Sequence, residues 1–271
     1  MIKRFSNLSY IYVFWIFLFI VFPITLVLYY AFSEGNIGSF ETTSLSVQYF
    51  YKFFTSRYFY VLLDSIGQAF LCTVFCFIVG YPTAFFLYRM EKKKADILLL
   101  LIILPMWMNF LVRTYAWVNL LSKNGLINSV LVTMGFEPIK MLYTKGSILL
   151  GMVYNFIPFM ILPIYNVMEK IDKSYIEAAK DLGANDFKTF KKVIFPMSVP
   201  GIITGITMVL IPAISTFEIS ALLGGNKYNL IGNIVEHQFK VAGNWHYGSA
   251  ISVVLMVIIL IAMFVTDKEG D

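Results

Sequence analysis

EKIDKSYIEAAKDLGANDFKTFKKVIFP, residues 169–196, separates two apolar runs, Ser147–Met168 and Val199–Leu223. The stretch is charged, yet it is patterned for structure rather than for a linker. Ser174 and Glu177 stand in the Ser-x-x-Glu spacing of a capping box, in which each side chain satisfies a backbone amide of the other's turn, so a helix is predicted from Tyr175. Gly183 suits the position just past a helix end, where the left-handed conformation carries no Cβ penalty. Asn185 is placed to cap a second helix, expected to run to Phe195 ahead of Pro196. The stretch thus predicts a short helix, a sharp glycine turn and a second helix leading into the next apolar run.

Tyr175, Ala179 and Leu182 share one face of the short helix by i, i+4 and i, i+3 spacing, and Ala178 and Ala179 keep it slim. A slim, capped helix can dock in a groove of a soluble partner. The alternative is an amphipathic helix lying on a membrane surface. Six lysines in the stretch favour that alternative, and its five acids, Glu169, Asp172, Glu177, Asp181 and Asp186, oppose it on an anionic leaflet.

The apolar runs on either side belong to a chain of 271 residues that is 59% hydrophobic and only 14% charged, with a mean hydropathy of +0.75. A soluble domain carries roughly 25% charged residues, so this chain lacks the polar surface for water and reads as an integral membrane protein. About 20 apolar residues make a helix long enough to cross a bilayer. Six segments qualify: Tyr10–Phe32, Leu62–Leu87, Ile97–Leu121, Ser147–Met168, Val199–Leu223 and Tyr247–Val265. The first exceeds the roughly 7–15 apolar residues of a signal peptide and reads as a retained anchor. The expectation is an all-α membrane bundle, one domain spanning 1–271.

Charge sets the orientation. Thirteen of the 21 Lys and Arg residues fall on one side if the N-terminus is inside, carried mainly by Arg89, Lys92, Lys93 and Lys94 and by the 169–196 loop. Seven fall on the other side, and Arg113 lies within a span. The positive-inside rule then places both termini in the cytoplasm. Pro105, Pro158, Pro163 and Pro212 lie inside predicted helices, where each removes a backbone donor and reads as a kink or as a break lining a pathway. Gly201 and Gly205 form a G-x-x-x-G, which lets helix backbones approach closely. Cys72 and Cys76, at i, i+4 in an apolar run, read as small buried residues rather than as a metal or redox pair. His237 and His246 have no cysteine cluster beside them, and no metal site is expected.

Glu177-Ala178-Ala179, three residues, Gly183, nine residues, then Val193-Ile194-Phe195-Pro196 resembles the EAA loop of bacterial ABC importer permeases. Val193 and Phe195 are conservative departures from that pattern. Gly80-Tyr81-Pro82-x-Ala84, Pro105-x-Trp107-x-Asn109-x-x-x-Arg113, Leu222-Leu223-Gly224-Gly225 and Ile231-Gly232-Asn233 are similar to the spermidine/putrescine subgroup of that family. The resemblance implies a type I importer bundle of six spans in the bacterial cytoplasmic membrane. It implies a second homologous permease, two ATPase subunits and an extracytoplasmic binding protein as partners. It makes Tyr175, Glu177, Ala178, Ala179, Leu182 and Gly183 the coupling helix that docks on the ATPase, and it puts Trp107 and Phe217 on the substrate pathway, for which Asn109 and Glu218 are further candidates. Glu177 has two readings, as the capping-box partner or as an ATPase contact.

Glu218 falls in the fifth apolar run, where an acid must face protein or water. It reads as an anionic contact for a translocating polycation or as the partner of Arg113. Similar polyamine permeases carry an acid one turn later, where this chain has Ala221, and a shift of three residues keeps nearly the same helix face. Aromatic faces such as those of Trp107 and Phe217 attract alkylammonium groups by about 0.5–2 kcal/mol each. Neither a G-x-x-x-x-G-K-[ST] nor a GxGxxG after a strand is present, so ATP and Mg are expected on a partner subunit, with no cofactor on this chain and no enzymatic activity of its own. Three rivals stand beside this reading. One is a permease for ferric iron, thiamine or an oxyanion. Another is a stand-alone secondary transporter, for which no internal repeat is visible. The third is a membrane enzyme, for which no cluster of His, Asp or Cys lies within the spans.

Overall fold

The computed structural model describes residues 12–35, 44–225 and 227–268. The readings that fall on Tyr10, Lys3 and Arg4 lie outside the described residues. In chain order the helices are α1 (Tyr12–Ala31), α2 (Gln48–Thr55), α3 (Arg57–Arg89), α4 (Lys92–Ile103), α5 (Phe110–Leu121), α6 (Leu126–Thr133), α7 (Lys145–Glu169), α8 (Lys173–Asp181), α9 (Asp186–Ser215), α10 (Glu218–Gly224), α11 (Ile231–Lys240) and α12 (Trp245–Lys268). A two-stranded antiparallel pair, β1 (Ser33–Glu34) and β2 (Ser44–Leu45), follows α1. Five of the helices, α1, α3, α7, α9 and α12, are long and apolar enough to cross a membrane. A bent pair, Lys92–Trp107 with Phe110–Thr133, makes a sixth crossing if it is one span.

Two compact units arise from this chain. The smaller comprises residues up to Val61 with Ile234–Ile258, and the larger comprises Leu62–Asn233 with residues from Ile259 on. In the smaller unit the core forms around His246, which is 1% exposed. Its Nδ1 lies 3.1 Å from Ser33 Oγ and 3.3 Å from the Tyr30 carbonyl, and its ring stacks on Tyr49. The histidine therefore serves packing. Tyr49 and Phe53, four apart, give α2 its one buried face.

In the larger unit α7 is the spine. Lipid tails provide no hydrophobic drive between helices, so close packing must hold them together. The G-x-x-x-G of α9 supplies it. A Cβ on Gly201 would stand 2.8 Å from the Pro163 carbonyl oxygen and 3.0 Å from Ile164 Cα. A Cβ on Gly205 would stand 2.8 Å from Met160 Sδ. Met160, wholly buried, is pressed from the other side by Gly80 of α3, whose Cβ would meet its Cγ at 2.9 Å. Tyr81 of α3 and Ser198 of α9 share a buried hydroxyl contact at 3.1 Å.

Most prolines prove to be accommodated within helices. Pro82, Pro158, Pro163, Pro200 and Pro212 all lie inside continuous helical segments. Pro23 and Pro196 each follow a π turn, Phe17–Val21 and Phe190–Ile194, that ends one residue before a Phe-Pro pair. The widened turn makes room where the proline ring would strike the preceding carbonyl.

Two expected spans are corrected. Ile97–Leu121 is not one helix but bends by 94° between Trp107 and Phe110. Leu104–Trp107 tightens into a 3-10 turn around Pro105, and Met108 is extended. Val199–Leu223 also breaks, because α9 ends at Ser215, Thr216 is extended and α10 starts at Glu218. Hydropathy reports transfer into lipid and is blind to such changes of direction; of the prolines flagged in these runs, Pro105 lies in the first break, whereas Pro212 stays inside the helix that ends at the second.

Candidate functional site

The 169–196 loop folds as a helix, a glycine turn and a second helix, with two corrections. The first helix, α8, starts at Lys173, and its cap is Asp172 rather than Ser174. The Asp172 carboxylate accepts from the Ser174 amide at 2.9 Å. The Ser174 backbone and side chain hold that carboxyl below its ordinary value. An ionised acceptor two residues upstream outcompetes the serine hydroxyl and lengthens the helix. Glu177 is thereby released from capping and lies exposed. The second correction concerns the helix capped by Asn185, whose side chain accepts from the Lys188 amide at 2.9 Å. It does not stop at Phe195 but runs on as α9 to Ser215.

Gly183 sits at φ +79°, and the carbonyls at the end of α8 are closed by the Gly183 amide on Lys180 at 2.8 Å and the Ala184 amide on Ala179 at 3.0 Å. These are the bonds of a glycine-terminated helix. The inward anchor of α8 is Ile176, which faces a cleft with Phe85, Tyr88, Thr189 and Ile194. The sequence reading passed over it, although Ala179 at i+3 shares its face. Tyr175, Leu182 and Phe187 point outward, 56%, 89% and 71% exposed. Ala178 is exposed as well, and Ala179 is half-buried. Asp186 ties the loop to α3, its carboxylate lying 3.3 Å from Lys180 and 3.9 Å from Arg89. Lys92 reaches Glu169 at 2.6 Å. Exposed pairs of this kind contribute about 0–1 kcal/mol each, so they orient the loop more than they stabilise it.

The other predicted residues lie at the two breaks. Asn109 caps α5, its oxygen accepting from Leu111 at 2.9 Å and Val112 at 3.3 Å. Trp107, two residues before it, is 77% exposed. At the second break Phe217 immediately precedes α10 and Glu218 is its first residue, both half-buried. Short α10 packs against α5 and α7, which brings the second break beside the helix that follows the first. No ion pair among the described residues includes Glu218 or Arg113. Arg113 instead donates from Nη1 to the Pro105 carbonyl at 2.7 Å.

Asn233 holds the second break closed. Its Nδ2 donates to the Phe217 carbonyl at 2.8 Å, and its oxygen accepts from the Leu230 amide at 2.9 Å and from the Ser220 hydroxyl. Gly232 leaves room for the Ser215 and Thr216 carbonyls, which a Cβ there would meet at 2.6 and 2.9 Å. The Phe217 carbonyl also accepts from the Ala221 amide at 2.9 Å, so it serves the first turn of α10 and Asn233 together. The chain matches the family described as the binding-protein-dependent transport system inner membrane component over residues 77–267.

The chain is a member of that permease family.

The permease is 38% identical over 253 residues to the spermidine/putrescine transport system permease protein PotB of Haemophilus influenzae, covering 93% of this chain and 88% of that one. It is 36% identical to PotB of Escherichia coli, covering 93% and 92%. Among solved structures it resembles a subunit of a bacterial ABC transporter for the acidic polysaccharide alginate, with a TM-score of 0.76 at 19% identity over 98% of this chain and 97% of that one. A MetNI methionine ABC transporter chain gives a TM-score of 0.58 at 18% identity, covering 76% and 91%. These likenesses are of fold, that of type I ABC importer permeases. In this permease the Leu222-Leu223-Gly224-Gly225 motif ends α10. The Leu223 carbonyl accepts from the Tyr143 amide and the Ser147 hydroxyl, both at 3.0 Å, and Gly225 turns at φ +57° against the Tyr143 ring. The motif thus secures the far end of α10 as Asn233 secures the near end.

Proposed function

We propose that this permease carries spermidine or putrescine inward as one transmembrane subunit of an ATP-driven importer. The observation that carries the substrate is the 36–38% identity, over 93% of the chain, to relatives named for those polyamines. The site chemistry agrees. Glu218 is a half-buried acid with no cationic partner among the described residues, so its charge is available to an ammonium group. Trp107 and Phe217 offer aromatic faces to the alkylammonium chain, and weak distributed contacts let the substrate leave as readily as it binds. Asn109 takes part by capping the helix that begins beside them.

ATP and Mg are held by a separate ATPase dimer. Tyr175, Glu177, Ala178, Leu182 and the outward side of α8 dock on that dimer, with Gly183 setting the angle at which α8 leaves α9. A second homologous permease completes the bundle, and an extracytoplasmic binding protein delivers the substrate. ATP-driven closure of the ATPases moves α8, and the bundle alternates between outward- and inward-facing states as rigid bodies.

Both termini and α8 lie in the cytoplasm in this reading. In a cysteine-free background, an impermeant thiol reagent added outside is expected to label a cysteine at position 229 but not one at 180. Labelling at 180 from outside reverses the orientation.

Substrate assignment is tested by Glu218→Gln in the complete importer in proteoliposomes. The change preserves shape and removes charge. Loss of one weak ionic contact worth about 1.4 kcal/mol corresponds to roughly tenfold slower spermidine uptake. Assembly and melting temperature are expected to stay at wild-type values. Uptake unaffected by the change would reject Glu218 as a substrate contact.

A further inference from the structure

Arg113 is an intramembrane cation that the pathway reading leaves without a task. Ionisable groups at such depth are retained for a reason. Its surroundings supply one. Pro105 starts the break in the third span, and its carbonyl accepts a 3-10 bond from the Met108 amide at 3.2 Å. The same carbonyl accepts from Arg113 Nη1 at 2.7 Å. Arg113 belongs to α5, on the far side of the 94° bend. The bond therefore joins the two halves of the broken span directly. The guanidinium is gripped in turn by rings, with its carbon 5.7 Å from the Phe110 centroid and 5.9 Å from that of Tyr154 on α7. Tyr154 rests edge-on against Trp117. Nε is buried with no partner. That arrangement serves the carbonyl and the rings at the expense of the group's own hydrogen bonding.

Trp107 lies between the two fastened points, Pro105 and the Asn109 cap. It is largely exposed. The position from which its side chain emerges is therefore set by the backbone of residues 105–109. We propose that Arg113 is a positioning residue that fixes the backbone presenting Trp107 at the apex of the broken third span by stapling the Pro105 carbonyl to α5 and α7. The spacing Pro105-x-Trp107-x-Asn109-x-x-x-Arg113 then has one physical meaning: a breaker, a presented aromatic, a cap and a staple.

The effect on transport rests on the pathway reading of Trp107, so the test has two readouts. The first is the steady-state fluorescence anisotropy of Trp107 in the assembled importer, with Trp15, Trp117 and Trp245 changed to Phe. Arg113→Met is expected to lower it, and Arg113→Lys, which retains a donor for the carbonyl, to restore most of the loss. Should Arg113→Met fail to assemble, Arg113→Gln, too short to reach Pro105, takes its place. Unchanged anisotropy overturns the proposal. The second readout is spermidine uptake by Arg113→Met, Trp107→Ala and the pair together. If Arg113 acts through Trp107, the double variant is no slower than the slower single one. Multiplying losses overturn the proposal. A fall in anisotropy with full uptake by Trp107→Ala upholds the staple and rejects Trp107 as a pathway contact.

Discussion

Gly201→Val is expected to prevent a stable bundle from assembling. The new Cβ would lie 2.8 Å from the Pro163 carbonyl oxygen and 3.0 Å from Ile164 Cα, both of them backbone atoms of α7. A flexible side chain could swing aside, but a helix backbone yields only if α7 and α9 separate. Overpacking usually costs about 1–3 kcal/mol, and the upper end or beyond applies where the obstacle is main chain. Separation would also open the seam at Gly205 one turn away. The expected result is a large drop in the temperature at which the detergent-solubilised importer loses its size-exclusion peak, with little complex recovered. Gly67→Ala is the control, because nothing lies within 4 Å of that Cβ, and Ala gains about 1 kcal/mol of helix propensity over Gly. A Gly201→Val importer that melts with the wild type would refute the packing argument.

Gly183→Val is expected to abolish uptake while leaving the bundle intact. Here space is not the obstacle, since nothing lies within 4 Å of the added Cβ. The obstacle is φ of +79°, which costs an L-residue about 1–2 kcal/mol, and more for a β-branched one. Relief of that strain breaks the two bonds that end α8 and swings α8 away from its fixed angle to α9. Because α8 has no buried residue, the melting temperature should barely change. Substrate-stimulated ATP hydrolysis and uptake should both be lost. Gly183→Asn should retain much of both, since asparagine tolerates the left-handed region. Coupled uptake at the wild-type rate in the valine variant would remove α8 from the coupling role.

What could be read in advance divides by range. The helix, turn and helix of 169–196 were legible because caps and glycine stops act within four residues. Even there the rival acceptors Asp172 and Ser174, two residues apart, were resolved only by the fold. Apolar length revealed the spans, while their breaks carried slighter marks, Pro105 and Asn109 in one run and Thr216 with Glu218 in the other. The partners of those breaks were out of reach. Asn233 lies 16 residues from the Phe217 carbonyl that it closes, and no local rule connects them. The reading of Glu218 as the partner of Arg113 meets no ion pair among the described residues, for a related reason. Opposite charges in adjoining spans suggest a pair, yet the Pro105 carbonyl, eight residues away at the broken turn, takes the guanidinium.

Met160 has an evolutionary consequence. A Cβ added at Gly80 or at Gly205, on separate helices, would meet its side chain at under 3 Å. A side chain at either glycine requires the methionine to move or shrink, and a smaller residue at 160 relieves both side-chain contacts together. The three positions form one unit of inheritance in which an alanine harmful in this background becomes neutral, or beneficial, after a change at 160. Drift in this family should therefore move residues 80, 160 and 205 in concert, and sequences recombined between α3 and α7 should bear a burden that neither parent shows.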